Sequence, residues 1–257
     1  MIRTTFDDET RTAEIVLQAP QRLNSIDPDG LRDLADAYRE AEARGARALL
    51  LRGDGRAFCA GRDISAVDPA NDDARAFLDL VRDTMRVMSG IHVPTFAAVH
   101  GACLGVGLGL AIANDVVYVA ERAKLGSPFA ALGAALDSGG HWLFAERLGS
   151  HRALDLIYTG DLMSGAEAVA AGLFSRAVPD DELLAFARER VERVARGATL
   201  AFLASKRLIS ELRDEPASVW SSMDAETEAQ LELQRTHDFR EGFTSFQEKR
   251  PPVFRGE

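Results

Sequence analysis

Two short loops carry the residue types best suited to chemistry. One is Phe58-Cys59-Ala60-Gly61-Arg62-Asp63-Ile64, the other His100-Gly101-Ala102-Cys103-Leu104-Gly105-Val106-Gly107. Each follows an apolar run, and the second opens onto a segment of helical character. Small side chains let a ligand approach backbone N–H groups closely, and a helix N-terminus adds partial positive charge. Two such loops brought together would hold an oxyanion with main-chain donors. Taken one at a time, each loop is equally well a tight strand-to-helix turn.

Other chemistries lack their residues. Gly105 and Gly107 begin a dinucleotide fingerprint, but Leu110 stands where its third glycine belongs. No Gly-Lys-Ser/Thr phosphate loop occurs. Around Ser138 the order Leu136-Asp137-Ser138-Gly139-Gly140 lacks the first glycine of a nucleophile elbow. The five histidines are never paired at i, i+4, and none has zinc-type spacing to cysteine, so no metal site is expected.

The elements that must position the loops follow from periodicity. Ala13 to Leu17, Ala46 to Leu51, Pro94 to Val99 and Asp115 to Ala120 read as strands. Pro28 to Arg44, with Asp27 as N-cap, and Ala74 to Gly90 read as amphipathic helices, and Leu108 to Ala113 as a third helix. Strands separated by helices imply crossover connections and a largely parallel sheet. From Gly140 helical patterns dominate: Trp142 to Leu148, Arg152 to Tyr158, Gly165 to Ala171, Leu183 to Arg196, Leu200 to Leu212 and Ala217 to Gln234. One β-like insert, Leu173 to Val178, interrupts them.

Composition narrows the partners. The chain has 257 residues, enough for one large domain or one with a small appendage. Its net charge of −10, without a basic block, argues against nucleic acid and against an anionic membrane surface. Two cysteines exclude a disulfide framework, and both read as buried small hydrophobes. The first residues lack the apolar run of a signal peptide, and no 18-residue apolar stretch occurs, so a cytoplasmic protein is expected.

Taken in order, these segments resemble the enoyl-CoA hydratase/isomerase (crotonase) superfamily. The resemblance begins at Leu23-Asn24-Ser25-Ile26, runs through both glycine loops and includes Lys124-Leu125-Gly126-Ser127-Pro128. It continues through Arg147-Leu148-Gly149, Thr159-Gly160-Asp161 and Ala168 to Leu173, and ends at Glu241-Gly242-Phe243 and Glu248-Lys249-Arg250-Pro251. It implies an α/β fold: a spiral of ββα units over 1–195 and a helical trimerisation region over 196–257. Trimers or dimers of trimers are expected. Apolar residues of the late helices, including Phe202, Ile209, Trp220, Met223 and Leu231, exceed what a short helical region can bury in itself.

The resemblance also implies an acyl-CoA substrate and no separate cofactor. The thioester oxygen would sit between the backbone N–H groups of Arg62 and Val106. Arg22, Asn24, Ala60, Asp63 and Ile64 would line the adenine and pantetheine channel, largely through backbone atoms. Leu104, Gly105, Phe129 and Gly133 would also contact the substrate. Lys249 would approach the CoA phosphates, in this chain or a neighbouring one.

Departures from the family pattern bear on the reaction. The two glutamates of hydratases fall at Gly109 and Phe129, so both carboxylates are missing. Asp137 remains. Related dienoyl-CoA and ring-epoxide isomerases carry an aspartate at the matching place, and a 4-chlorobenzoyl-CoA dehalogenase uses it as nucleophile. At the places of that dehalogenase's supporting histidine and tryptophan stand Arg82 and Phe129. One carboxylate suits isomerisation, where a single base removes and returns a proton. The pocket, made apolar by Val106 and Phe129, would raise its basicity. The alternatives are an atypical hydratase, a non-catalytic acyl-CoA binder, and an Asp137 that only caps a helix beginning at Ser138 or Gly139.

Overall fold

The apolar runs behind the two loops form neighbouring parallel strands in the computed structural model, which describes residues 1–64, 73–127, 129, 135–214 and 235–257. Strands β1 (Ile2–Asp7), β2 (Thr12–Leu17), β3 (Ala48–Gly53), β4 (Thr95–Val99), β6 (Val116–Ala120) and β9 (Arg176–Val178) make one sheet in the order β1-β2-β3-β4-β6-β9. Only β1 runs antiparallel to its neighbour. A smaller sheet joins β5 (Ala102–Leu104), β7 (Lys124–Gly126) and β8 (Met163–Ser164). The central strands are covered on both faces, which is why β3 and β4 read as continuous apolar runs rather than alternating ones.

Helix α1 (Pro28–Ala43) starts as its residues predict. Asp27 accepts the Gly30 N–H at 2.7 Å, Pro28 fills the first position, and Leu31, Leu34, Ala35, Tyr38 and Ala41 are buried. Helix α2 (Ala74–Gly90) has Asp73 as its N-cap and packs on α1. A short helix α3 (Val106–Ile112) follows β5 and is buried along its length. Helices α4 (Gly140–Leu148), α5 (Ser150–Thr159), α6 (Gly165–Ala170) and α7 (Leu183–Ala195) follow, α7 lying across the main sheet.

The C-terminal helices return to the core. In α8 (Thr199–Asp214), Lys206 Nζ lies 2.9 Å from Asp115 Oδ2 and donates to the Val93 carbonyl at 3.0 Å. Arg47 donates to Thr199 Oγ1 at 2.8 Å and to the Gly197 carbonyl at 2.9 Å. Helix α9 (His237–Glu248) is held by the chain end, since Asp238 accepts the N–H groups of Arg255 and Gly256. The helix expected over 217–234, with Trp220, Met223 and Leu231, lies outside the described residues. No described helix is long and apolar enough to cross a membrane.

Asn24 ties the entry to α1 to the first glycine loop. It is fully buried at φ 56°. Its Oδ1 accepts the Ala19 N–H at 2.8 Å, and its Nδ2 donates to the carbonyls of Asp54 and Ala57 at 2.8 and 2.7 Å. A buried group that loses its partner costs about 1–3 kcal/mol. Asn24→Ala, which strands one N–H and two carbonyls, should therefore lower stability by about 2–4 kcal/mol in urea unfolding. Asn24→Asp should cost at least as much at pH 7, because a carboxylate cannot donate to the two carbonyls.

Candidate active site

Because β3 and β4 are adjacent and parallel, with Leu49 opposite Thr95 and Arg52 opposite Ala98, the loops leaving them emerge side by side. Hydrogen bonding then zips the loops together. Phe58 N–H donates to the His100 carbonyl at 2.8 Å and Cys59 N–H to Ala102 at 3.1 Å, while Leu104 N–H returns to Cys59 at 3.0 Å. On its other flank the first loop is stitched to residues 23–26. Ala60 N–H donates to Leu23, Ile26 N–H to Gly61 and Asp63 N–H to Ile26, at 2.8–3.0 Å. Contact this close excludes a side chain at Gly107, whose added Cβ would overlap the Cys59 carbonyl and lie 2.8 Å from the Cys59 Cβ.

The zipper orients both peptide units that the sequence singles out. The peptide ending in the Arg62 N–H has its Gly61 carbonyl fixed by Ile26. The peptide ending in the Val106 N–H has its Gly105 carbonyl fixed by Leu108 and Gly109 N–H, at 3.0 and 3.2 Å. Val106 N–H is the first of α3 and so has no intrahelical acceptor. Cys59 and Cys103 face each other across the zipper as free, buried thiols. Burial pushes Cys59 up to about 12 and Cys103 well above its ordinary value, so neither is a thiolate nucleophile near neutral pH.

Asp137 lies in a cleft of about 950 Å³ between α2, the end of α3, α4 and α8. Its apolar walls include Leu78, Val81, Met85, Ile112, Trp142 and Leu143. Desolvation raises the Asp137 carboxyl above its ordinary value, against opposing pulls from the Ser138 hydroxyl and the Arg62 charge. Ser138 Oγ donates to Asp137 Oδ1 at 2.8 Å. The carboxylate does not cap α4, which begins at Gly140, later than expected. Its N-cap is Gly139, without a side-chain cap bond, and only the Asp137 backbone carbonyl reaches the Gly140 N–H. The turn that presents Asp137 uses left-handed backbone at Ser138 (φ 53°) and Gly139 (φ 71°).

The expected apolar surroundings of Asp137 exist but come from other residues. Val106 is buried in the core and Phe129 packs beside Gly105; neither lines this cleft. Leu104 and Gly105 lie on the zipper. Arg82 does line the cleft, while pairing with Asp79 and Asp83. Arg22, Asn24, Ala60, Asp63 and Ile64 cluster on the far flank of the first loop. There Arg22 bridges Asp27 and Asp63 at 2.8 and 2.7 Å, and Ile64 is exposed. Ala60 and Asp63 already spend their N–H groups on Leu23 and Ile26. Lys249 is exposed just past α9. Gly133 lies outside the described residues. The sequence gives no warning of where the Arg62 side chain goes: its guanidinium lies over the Phe77 ring, 4.1 Å from the centroid.

With this geometry in place, comparison defines the class. The enoyl-CoA hydratase/isomerase family profile matches residues 7–257, and the chain belongs to that family. A "Probable enoyl-CoA hydratase" of Rhodobacter capsulatus is 34% identical over 247 residues, covering 95% of this chain and 94% of its own. The 1,2-epoxyphenylacetyl-CoA isomerase of Escherichia coli is 31% identical over 248 residues, 94% of each chain. The crystal structure of an enoyl-CoA hydratase from Bacillus anthracis superposes with a TM-score of 0.92 at 29% identity, covering 100% of this chain and 99% of that one. The crotonase-type α/β fold expected from the sequence is therefore the fold of this protein.

Gly109 explains how the aspartate turn fits. A Cβ there would lie 2.5 Å from the Ser138 Cβ and 3.2 Å from its Oγ, so Ser138 fills the space a side chain at 109 would need. Gly109→Ala should cost about 1–3 kcal/mol by overpacking. In a double-mutant cycle read by urea unfolding, Ser138→Gly should recover most of that loss. Additive losses would show that the strain lies elsewhere.

Proposed function

We propose that this family member is an acyl-CoA isomerase that shifts a double bond, or isomerises a ring epoxide, with Asp137 as its single general base. The observation that carries the reading is Asp137 itself: it is the one acidic side chain among the described residues lining the cleft, and its basicity is raised by burial. Gly109 and Phe129 leave no glutamate pair to activate water and protonate carbon. In the double-bond reaction the Asp137 carboxylate takes a proton from the acyl chain and electrons flow onto the thioester oxygen. Arg62 and Val106 N–H groups stabilise that oxyanion, each by about 3–4 kcal/mol. The protonated aspartate then returns the proton at the other end of the allylic system. The apolar walls keep water from the intermediate.

The hydratase reading is favoured by the name of the Rhodobacter relative. Crotonyl-CoA separates the two, since hydration consumes the conjugated enoyl absorbance. Hydration at an ordinary family rate would overturn the isomerase reading. Binding of β,γ-enoyl-, dienoyl- and aryl-CoA without turnover of any would favour a binder. In the same proposal Arg22, Asn24, Ala60, Asp63 and Ile64 border the CoA channel and Lys249 serves the phosphates.

On an isomerase substrate, Asp137→Asn should lower kcat by about 100- to 10,000-fold with little change in acyl-CoA affinity. The base works only when ionised, so activity should fall as pH drops through a midpoint above the ordinary 3.8. The stability sign is opposite to that of an ion-paired carboxylate. A raised folded pKa means the ionised group costs stability at neutral pH, a cost absent below the unfolded pKa. Asp137→Asn should therefore be at least as stable as wild type at pH 7; a clear drop in Tm would mark a structural aspartate.

Exposed apolar side chains on α4, α5 and α8 support an assembly of three or six chains. Trp142, Tyr158 and Ile209 are 49%, 73% and 66% exposed in the single chain, large apolar side chains that an assembly would cover. Light scattering at micromolar concentration should give the mass of three or six chains, and a monomeric mass would refute this.

A further inference from the structure

We propose that the cleft beside Asp137 takes a long, flexible, apolar acyl chain, and that Gly90 is the residue that leaves its far end open. The inference rests on the reading of the protein as an acyl-CoA isomerase and names the substrate class: thioesters of medium or long chains rather than of four-carbon or single-ring acids. The direction of the cleft follows from two helices. Helix α3 begins at Val106, whose N–H is the donor proposed for the thioester oxygen. One turn on, Gly109 meets Ser138 of the aspartate turn. Another turn on, Ile112 and Ala113 line the cleft, and the Ala113 carbonyl accepts the Ser89 hydroxyl at 3.4 Å. Helix α2 runs the same way. Near its start Phe77 lies under the guanidinium of Arg62, whose N–H is the other proposed donor, and it ends at Ser89 and Gly90. The thioester end, the base and the far end therefore follow in that order along both helices.

One face of α2 walls the cleft throughout, because Leu78, Val81, Met85 and Ser89 recur at three- and four-residue spacing. From Leu78 to Ser89 the helix rises about 16 Å. A four-carbon acyl group would fill only the part next to Asp137, and the cleft's volume of about 950 Å³ is at the upper end for small-molecule sites. Leu136, Trp142 and Leu143 add apolar surface to the other walls, and Met85 is a side chain that adapts to a flexible ligand. At the rim Arg82 pairs with Asp79 at 2.8 Å and Arg86 lies 3.8 Å from Asp83. Gly90 is then the informative residue. It is the last of α2, and its backbone is not left-handed. A Cβ added there meets no atom within 4 Å, whereas one at Gly107 or Gly109 would collide. Neither backbone nor packing therefore demands glycine at 90, although glycine is disfavoured in a helix relative to alanine. What its missing side chain provides is open space at the end of the cleft, which it lines.

The test is calorimetric titration with free CoA and with saturated acyl-CoA thioesters of increasing chain length, from four to sixteen carbons. These have no double bond to move, so the result does not depend on turnover. Affinity should rise at least about 100-fold between the four- and twelve-carbon thioesters, well within the roughly fourfold per methylene that complete burial would give. An affinity that stops rising by six carbons overturns the inference, and this series needs no variant. Gly90→Phe should end the rise at a shorter chain, lowering affinity for the fourteen-carbon thioester by about tenfold relative to the six-carbon one. Gly90→Leu reads the same effect at smaller size if the phenylalanine variant does not fold. A folded variant whose series matches that of wild type overturns the role of Gly90. Activity is a separate measurement: an active Asp137→Asn would end the isomerase reading and leave the chain-length series standing, whereas a flat series would leave Asp137 as the base.

Discussion

Everything at the candidate site depends on the lateral pairing of β3 with β4 and its continuation into the loops beyond them. Adjacent parallel strands deliver their following loops to the same edge of the sheet. The backbone bonds among Phe58, Cys59, His100, Ala102 and Leu104 then prevent those loops from diverging. An oxyanion site made of main-chain donors has no side chain to swing into place, so its geometry is that of the backbone supporting it. Here that support is a short ladder with small residues on both sides, and the buried thiols of Cys59 and Cys103 are small enough to lie within it.

A second constraint is electrostatic. Apolar walls make a carboxylate more basic but also favour its neutral form, in which it cannot take a proton. In this cleft the hydroxyl of Ser138 and the positive field of Arg62 act against desolvation. The turn carrying Asp137 and Ser138 adopts left-handed backbone at a non-glycine residue, which costs of order 1 kcal/mol and is usually found where placement of a group matters more than local comfort.

Much of the scaffold is legible in the sequence because its signals are local. Asp27-Pro28 marks the start of α1, the spacing of Phe77, Val81 and Met88 marks the buried face of α2, and the runs at 48–53, 95–99 and 116–120 mark buried strands. Strand β1 is harder to see, since most of it is exposed and it is specified by pairing with β2. The three-residue strands β5 and β7 are specified by pairing, β5 with β7 and β7 also with β8. At the site, the loops and the aspartate are visible as residue types. The placement of Phe129 away from the cleft, the stack of Arg62 on Phe77 and the failure of Asp137 to cap α4 are not, because each depends on where separate segments meet.

The meeting of Gly109 and Ser138 has a historical consequence. A side chain at 109 and the serine of the aspartate turn compete for one small volume. A longer side chain at 109, such as the glutamate that the resemblance places there in hydratases, would therefore need the turn to give way. A lineage moving from one arrangement to the other must clear position 109 before the turn can close in, or withdraw the turn before a side chain returns.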